Sequence, residues 1–121
     1  MNVLILEDNL ERIKKFKELF KNHELFLFDN VIDALISCYY NSFSIMMLDH
    51  DLDNRSWVDS EEPNTGYTFC KSLIGSETQK QAIIYIHSLN PIGANRMLNL
   101  LKDNDYDVQW IPYHLIGKYN G

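Results

Sequence analysis

One recurrence constrains this chain more than anything else in it. Val3-Leu4-Ile5-Leu6 is apolar at every position and short. Such a run suits a strand buried on both faces. Comparable segments return at Leu25-Phe26-Leu27-Phe28, Ser44–Leu48, Ala82–Ile86 and Val108–Ile111. Between them lie stretches with helical signals. Asp8 or Asn9 can cap a helix carrying Leu10, Ile13, Phe16 and Phe20 to about Lys21. Asp29 or Asn30 can cap a second, with Val31, Ala34, Leu35 and Cys38 on one face. Thr65-Gly66 opens a third, expected to run through Ile74, with Gly75–Lys80 as the turn that ends it. Asn90-Pro91 joins a capping side chain to a proline at the first helical position, and Ala94, Met97, Leu98 and Leu101 follow as an apolar face.

Strands alternating with helices predict an α/β fold with helices on both faces of a parallel sheet. Right-handed crossovers leave few topologies, and the flavodoxin-like, doubly wound five-stranded order 2-1-3-4-5 is the natural candidate. The tail after Pro112 is too short for a further helix, so the final helix of such a fold is expected to be absent. Residues 1–121 read as a single domain, with no repeat or linker.

In that topology the carboxyl ends of strands 1, 3 and 4 face one crevice, the usual ligand position in an open α/β sheet. All three ends are polar: Glu7-Asp8, Asp49-His50-Asp51 and His87-Ser88-Leu89-Asn90. Converging carboxylates repel one another unless some are protonated or a divalent cation neutralises them. Mg²⁺ and Mn²⁺ accept such oxygen ligands, so Glu7, Asp8, Asp49 and Asp51 are the candidate metal ligands. If the strand continues that far, Asp49 and Asp51 share a side while His50 turns away; a bend there instead leaves the direction of His50 open. An imidazole at His50 or His87 can shuttle a proton, and with Asp49 these are the candidate catalytic groups. The helix start at Asn90 offers N–H groups to an anion; Ser88, Asn90 and Gly93, whose missing side chain permits close approach, are the candidate phosphate-binding residues. Acids for a metal, imidazoles for a proton and a helix start for an anion together point to phosphoryl chemistry.

The net charge of −6 disfavours nonspecific binding to DNA or RNA backbones. Residues 49–62 hold Asp49, Asp51, Asp53, Asp59, Glu61 and Glu62 against Arg55 alone; those beyond Asp51 read as solvated loop charges. Arg12, Lys14, Lys15, Lys17 and Lys21 form a basic face on the first helix, which could touch a phosphate, although such a face is more often simply solvated. Trp57 and Trp110 suit core or rim packing better than base stacking, and His23 and His114 read as structural or surface residues. Cys38 and Cys70 lack metal-ligand spacing and read as buried reduced thiols of a cytoplasmic protein. No signal peptide or membrane span is visible in the sequence.

Acids after strand 1, Asp49 after strand 3 and Ser88 after strand 4 resemble the receiver domains of two-component signalling. A receiver carries a lysine before a proline at the end of strand 5; here Trp110-Ile111 precede Pro112. The chain more closely resembles the cyclic-phosphate-processing receiver-like domains. It carries their boxes as Leu48-Asp49-His50-Asp51-Leu52, Thr65-Gly66-Tyr67, His87-Ser88-Leu89-Asn90-Pro91-Ile92-Gly93 and Arg96-Met97, spread over Val3 to Leu101. The family's Leu-Asp-Asp-x-Arg appears here as Leu6-Glu7-Asp8-Asn9, with the first arginine at Arg12, outside the motif and assigned no site role. Asp53 stands where a glycine often follows the Leu-Asp-His-Asp-Leu box. The resemblance implies hydrolysis of a cyclic phosphodiester, either an RNA 2′,3′-cyclic phosphate end or a cyclic nucleotide, assisted by Mg²⁺ or Mn²⁺. The alternatives are a non-enzymatic receiver-derived module that binds a nucleotide or a protein, and phosphoacceptor signalling at Asp49.

Overall fold

The structure, a computed structural model, describes residues 1–52 and 57–118, so Asp53 and Arg55 lie outside the described residues. In chain order the elements are β1 (Asn2–Leu6), α1 (Leu10–Leu19), β2 (Glu24–Phe28), α2 (Val31–Tyr40), β3 (Ile45–Leu48), α3 (Gly66–Ser76), β4 (Ile83–Ile86), α4 (Pro91–Asp103) and β5 (Asp107–Trp110). All neighbouring strands run parallel in the order β2-β1-β3-β4-β5. Asn9, Asn30, Thr65 and Asn90 each cap a helix, the side chain accepting an N–H from the residue three further on. No helix among the described residues is long and apolar enough to cross a membrane.

Register sets the geometry of everything that follows. Leu6 lies beside Leu48, Leu48 beside Ile86 and Ile86 beside Trp110. The ladder continues one residue further: Asp49 N–H donates to Leu6 O and His87 N–H to Leu48 O, at 3.1 and 3.0 Å. Glu7, Asp49 and His87 therefore finish adjacent strands at one level. Strand side chains alternate between faces. Val3, Ile5, Ile45, Met47 and Tyr85 pack on the α1 side with Phe16, Phe20 and Ile116. Leu4, Leu6, Met46, Leu48, Ile84 and Ile86 pack on the other side against α2, α3 and α4. Continuing that parity sends Glu7, Asp49 and His87 toward α1 and His50 toward α3 and α4.

Three local expectations change. Leu10 is 81% exposed, because it opens α1 beyond the sheet, and only Phe16 of that helix is fully buried. Helix α3 runs through Gly75 to Ser76, and Glu77 at φ 53° takes the left-handed cap position that glycine usually fills. The tail forms a 3₁₀ helix, Tyr113–Lys118, rather than irregular chain. Its Ile116 is fully buried on the α1 face. Cys38 and Cys70 are buried and free; burial pushes the Cys38 thiol up to about 12 and raises that of Cys70 as well.

Candidate functional site

A cavity of about 350 Å³ opens at the carboxyl edge of the sheet. Glu7, Asp8, Arg12, Asp49, Ser88 and Asn90 line it, with Asp51, Trp57 and Leu89 toward its mouth. Asn9 completes its α1 side.

Glu7 is 1% exposed, yet both its oxygens are satisfied. Oε2 accepts N–H groups from Asp8 and Asn9 at 3.0 and 3.1 Å. Oε1 faces His87 Nε2 at 2.9 Å. A carboxylate only accepts, so the proton of that bond sits on His87 Nε2. Burial alone would raise the acid's pKa. The His87 hydrogen bond and charge, the Asn9 N–H and Arg12 outweigh burial and hold Glu7 below the ordinary carboxylate range.

Asp49 behaves in the opposite way. Its Oδ1 accepts the His50 N–H at 2.8 Å, and Oδ2 lies 3.7 Å from Arg12 Nη1. Burial is the largest influence on it. His87 pulls the pKa down and the Glu7 charge pushes it up, and the result is an acid raised to about 7. The cavity thus holds two neighbouring carboxyl groups with proton affinities driven apart, a recurrent signature of acid–base pairs.

His87 is fully buried behind Glu7 and does not line the cavity. Its Nδ1 has no hydrogen-bond partner among the described residues, and its ring meets the edge of Phe16 at 4.9 Å. The imidazole thus orients Glu7 and reaches the cavity through it.

His50 is also fully buried, on the opposite face. Its Nδ1 donates to the Asp51 carboxylate Oδ1 at 2.7 Å, and Nε2 is hydrogen-bonded with the Ser60 hydroxyl at 2.8 Å. A Cβ built on Gly93 would come within 2.5 Å of the His50 ring. The close approach that Gly93 permits is therefore to His50, not to a phosphate. The Gly93 N–H is taken by Asn90 Oδ1, and the Asn90 N–H by Ser88 Oγ. These bonds leave the Ser88 hydroxyl proton free to donate into the cavity.

Asp51 is saturated on both oxygens. Oδ1 accepts from His50, from Asn90 Nδ2 at 3.1 Å and from Val58 N–H at 3.2 Å; Oδ2 accepts Trp57 N–H at 2.7 Å. Burial raises its pKa, but the bonds from His50, Asn90 and Trp57 more than reverse that and hold it low. It works as a strut between the β3 loop and α4. Of the loop charges, Asp59 and Glu61 are exposed, and Glu61 pairs with Arg96 at 2.9 Å. His114 is exposed.

Glu7, Asp49 and His87 offer ligand atoms within 4.8 Å of one another. Two carboxylates and an imidazole suit Mn²⁺ or a similar divalent ion, so this buried cluster can hold a metal. The unpartnered His87 Nδ1 is unlike the usual metal-bound histidine, whose second nitrogen donates to an acceptor. The two carboxylates are the better-fitted part of the set.

Arg12, read from sequence as solvated, enters the cavity wall. It lies one turn before the buried Phe16 on α1, and that spacing was the available signal. Ser60, which holds His50, carried no signal at all. Trp57 sits at the cavity mouth with its side chain in water, 68% exposed and at φ 58°, a strained value for a bulky residue.

A parallel 2-1-3-4-5 sheet with acids at the ends of β1 and β3 defines a receiver-type domain. A family model for the Cyclic-phosphate processing Receiver domain matches residues 3–103, and the chain belongs to that family. No curated protein matches the sequence. Solved structures share the fold at low identity. The receiver domain of a CheY-like response regulator from Methylobacillus flagellatus superposes with a TM-score of 0.66 at 17% identity, over 93% of this chain and 85% of that one. Vibrio cholerae chemotaxis protein CheY4 gives 0.66 at 14% identity, covering 97% and 92%. A Burkholderia pseudomallei response regulator with a phosphorylated aspartic acid, a calcium ion and citrate gives 0.66 at 16% identity, covering 90% and 58%.

Proposed function

We propose that this domain hydrolyses a cyclic phosphodiester of a nucleotide or an RNA end to the phosphomonoester. Family membership supports the substrate class. The observation that carries the chemistry is the Glu7–Asp49 pair, two carboxyl groups in one cavity with opposed pKa shifts. Water adds to phosphorus, the bond to one ring oxygen breaks, and that oxygen leaves with a proton. Asp49, an acid poised near 7, supplies that proton. Glu7, ionised and aimed by His87, accepts the proton lost by the attacking water. The Ser88 hydroxyl donates to a phosphate oxygen. Trp57 and Leu89, 68% and 45% exposed at the mouth, offer an apolar surface to a base or sugar.

Glu7 and an ionised Asp49, with His87 within reach, would hold a divalent ion; in that form the ion would supply charge neutralisation at the phosphate and a more acidic water in place of the Asp49 proton. Phosphoacceptor signalling is the weaker reading, because Trp110-Ile111 precede Pro112 where the receiver pattern carries a lysine.

The test is incubation of purified protein with 2′,3′- and 3′,5′-cyclic nucleotides, with and without Mn²⁺, followed by ³¹P NMR. A phosphomonoester signal that disappears in Asp49→Asn supports the reading. A nucleotide that binds and is recovered unchanged would show a binding module instead.

A further inference from the structure

We propose that Arg12 is the resident cation of this cavity, occupying the charge position for which a divalent ion competes and gripping the phosphate in the ion's absence. The inference rests on the phosphoesterase reading but concerns a different property, the identity of the cation.

The geometry is specific. Arg12 Nη1 stands 3.6 Å from Glu7 Oε1 and 3.7 Å from Asp49 Oδ2. These two carboxylates are also the better-fitted part of the cluster that can hold a metal. A positive group equidistant from both leaves no room for a second without repulsion, which at such separations is strong in a partly buried site. The guanidinium is also held in place. Its carbon lies 4.9 Å from the centre of the Tyr113 ring, a cation–π arrangement. Tyr113 is itself fixed, since its N–H donates to His87 O at 2.9 Å and its ring meets Phe16 edge-on. The short tail helix therefore builds a shelf beneath the arginine.

Arg12 is not spent on its partners. Contacts of 3.6 and 3.7 Å are long for charge-assisted hydrogen bonds, so the guanidinium keeps N–H donors for an incoming anion. Its side chain is 23% exposed, toward the cavity. A planar fork of that kind suits two phosphate oxygens at once. On binding, the phosphate would tighten its hold on Arg12 while the carboxylates keep the fork aimed.

The experiment is Mn²⁺ titration followed by electron paramagnetic resonance, without substrate, on the wild type, Arg12→Met and Arg12→Lys. Removing a charge this close to the ligands should tighten Mn²⁺ binding by about tenfold or more in Arg12→Met. Arg12→Lys, which keeps the charge, should stay near the wild type and guards against a misfolded methionine variant. In parallel, metal-free binding of inorganic phosphate should weaken by about tenfold or more in Arg12→Met. Mn²⁺ affinity unchanged or reduced in a folded Arg12→Met protein overturns the proposal. A failure of the phosphoesterase reading is separately visible, as absent turnover beside the tightened Mn²⁺ binding.

Discussion

Two histidine–carboxylate pairs end neighbouring strands of this sheet, and they are put to different uses. His87 with Glu7 and His50 with Asp51 both join a fully buried imidazole to an acid at under 3 Å, 2.9 and 2.7 Å respectively. The difference lies in where the remaining lone pairs go. Asp51 accepts from His50, Asn90, Val58 and Trp57, and His50 also engages Ser60. That network ties the β3 loop to the start of α4 and leaves little capacity for a ligand. On the other face, Glu7 and Asp49 meet Arg12 at long range beside an open cavity. A histidine next to an acid is thus no guide to catalysis by itself. Both acids have their oxygens engaged; what distinguishes the site from the strut is that Glu7 lies beside a second carboxyl, Asp49, and Arg12 at the cavity wall, whereas Asp51 bonds only groups that tie the loop to α4.

The sharpest way to break this comparison is Asp49→Asn. It should lower cyclic-phosphate turnover by about 10²–10⁴-fold, the usual worth of a positioned proton donor. The same variant tests the linkage. A buried acid raised to about 7 contributes stability that is fully present below its unfolded value of 3.8 and lost as pH rises through about 7. The melting temperature of Asp49→Asn should therefore gain on the wild type as pH climbs from 4 to 8. A constant gap across that range would deny the shift.

The two histidines should part company next. His50→Ala should destabilise the fold by about 3 kcal/mol, through a cavity beneath Gly93 and unpaired partners at Asp51 and Ser60. Denaturant unfolding measures that loss. Where the variant remains folded, the pH profile of turnover should keep its shape. His87→Gln, which retains a donor for Glu7, should instead raise the Glu7 pKa and move the acid limb of the profile upward. Identical pH profiles for the two variants would erase the distinction between strut and site.

A smaller effect is expected at Gly93→Ala, whose added Cβ meets the His50 ring at 2.5 Å. The neighbouring ring has to shift, at about 1–3 kcal/mol by thermal or denaturant unfolding. Smallest is Trp57→Ala. An indole 68% exposed should change stability by only about 0.5 kcal/mol. Its loss should raise KM for base-bearing substrates several-fold while leaving kcat unchanged.

The sheet was legible because its signal is periodic. Five apolar runs and the four capped helices between them leave almost one topology, and the observed strand order follows. The parity of the strands was legible too. Val3-Ile5-Glu7 and Ile45-Met47-Asp49 alternate to one face, and His50 falls on the other. Its burial against α4 is what that alternation requires. The harder parts depend on contacts between segments distant in sequence. Arg12 looked like one of several surface bases, and only the placement of Tyr113 and the two strand ends shows why this one turns inward. Gly93 signalled a close approach without saying to what. Gly75 looked like a helix stop, but space around it is open and the cap falls at Glu77. The tail lacked a helical repeat, yet Ile116 found the gap on the α1 face.

Turnover of a 2′,3′-cyclic nucleotide by wild type and Asp49→Asn, followed by ³¹P NMR between pH 5 and 9, tests the central claim most directly. The expected result is a phosphomonoester product whose rate falls above about pH 7 in the wild type and is nearly abolished in the variant. Equal rates in the two proteins, or no product from a folded wild type at any pH with or without Mn²⁺, would contradict it.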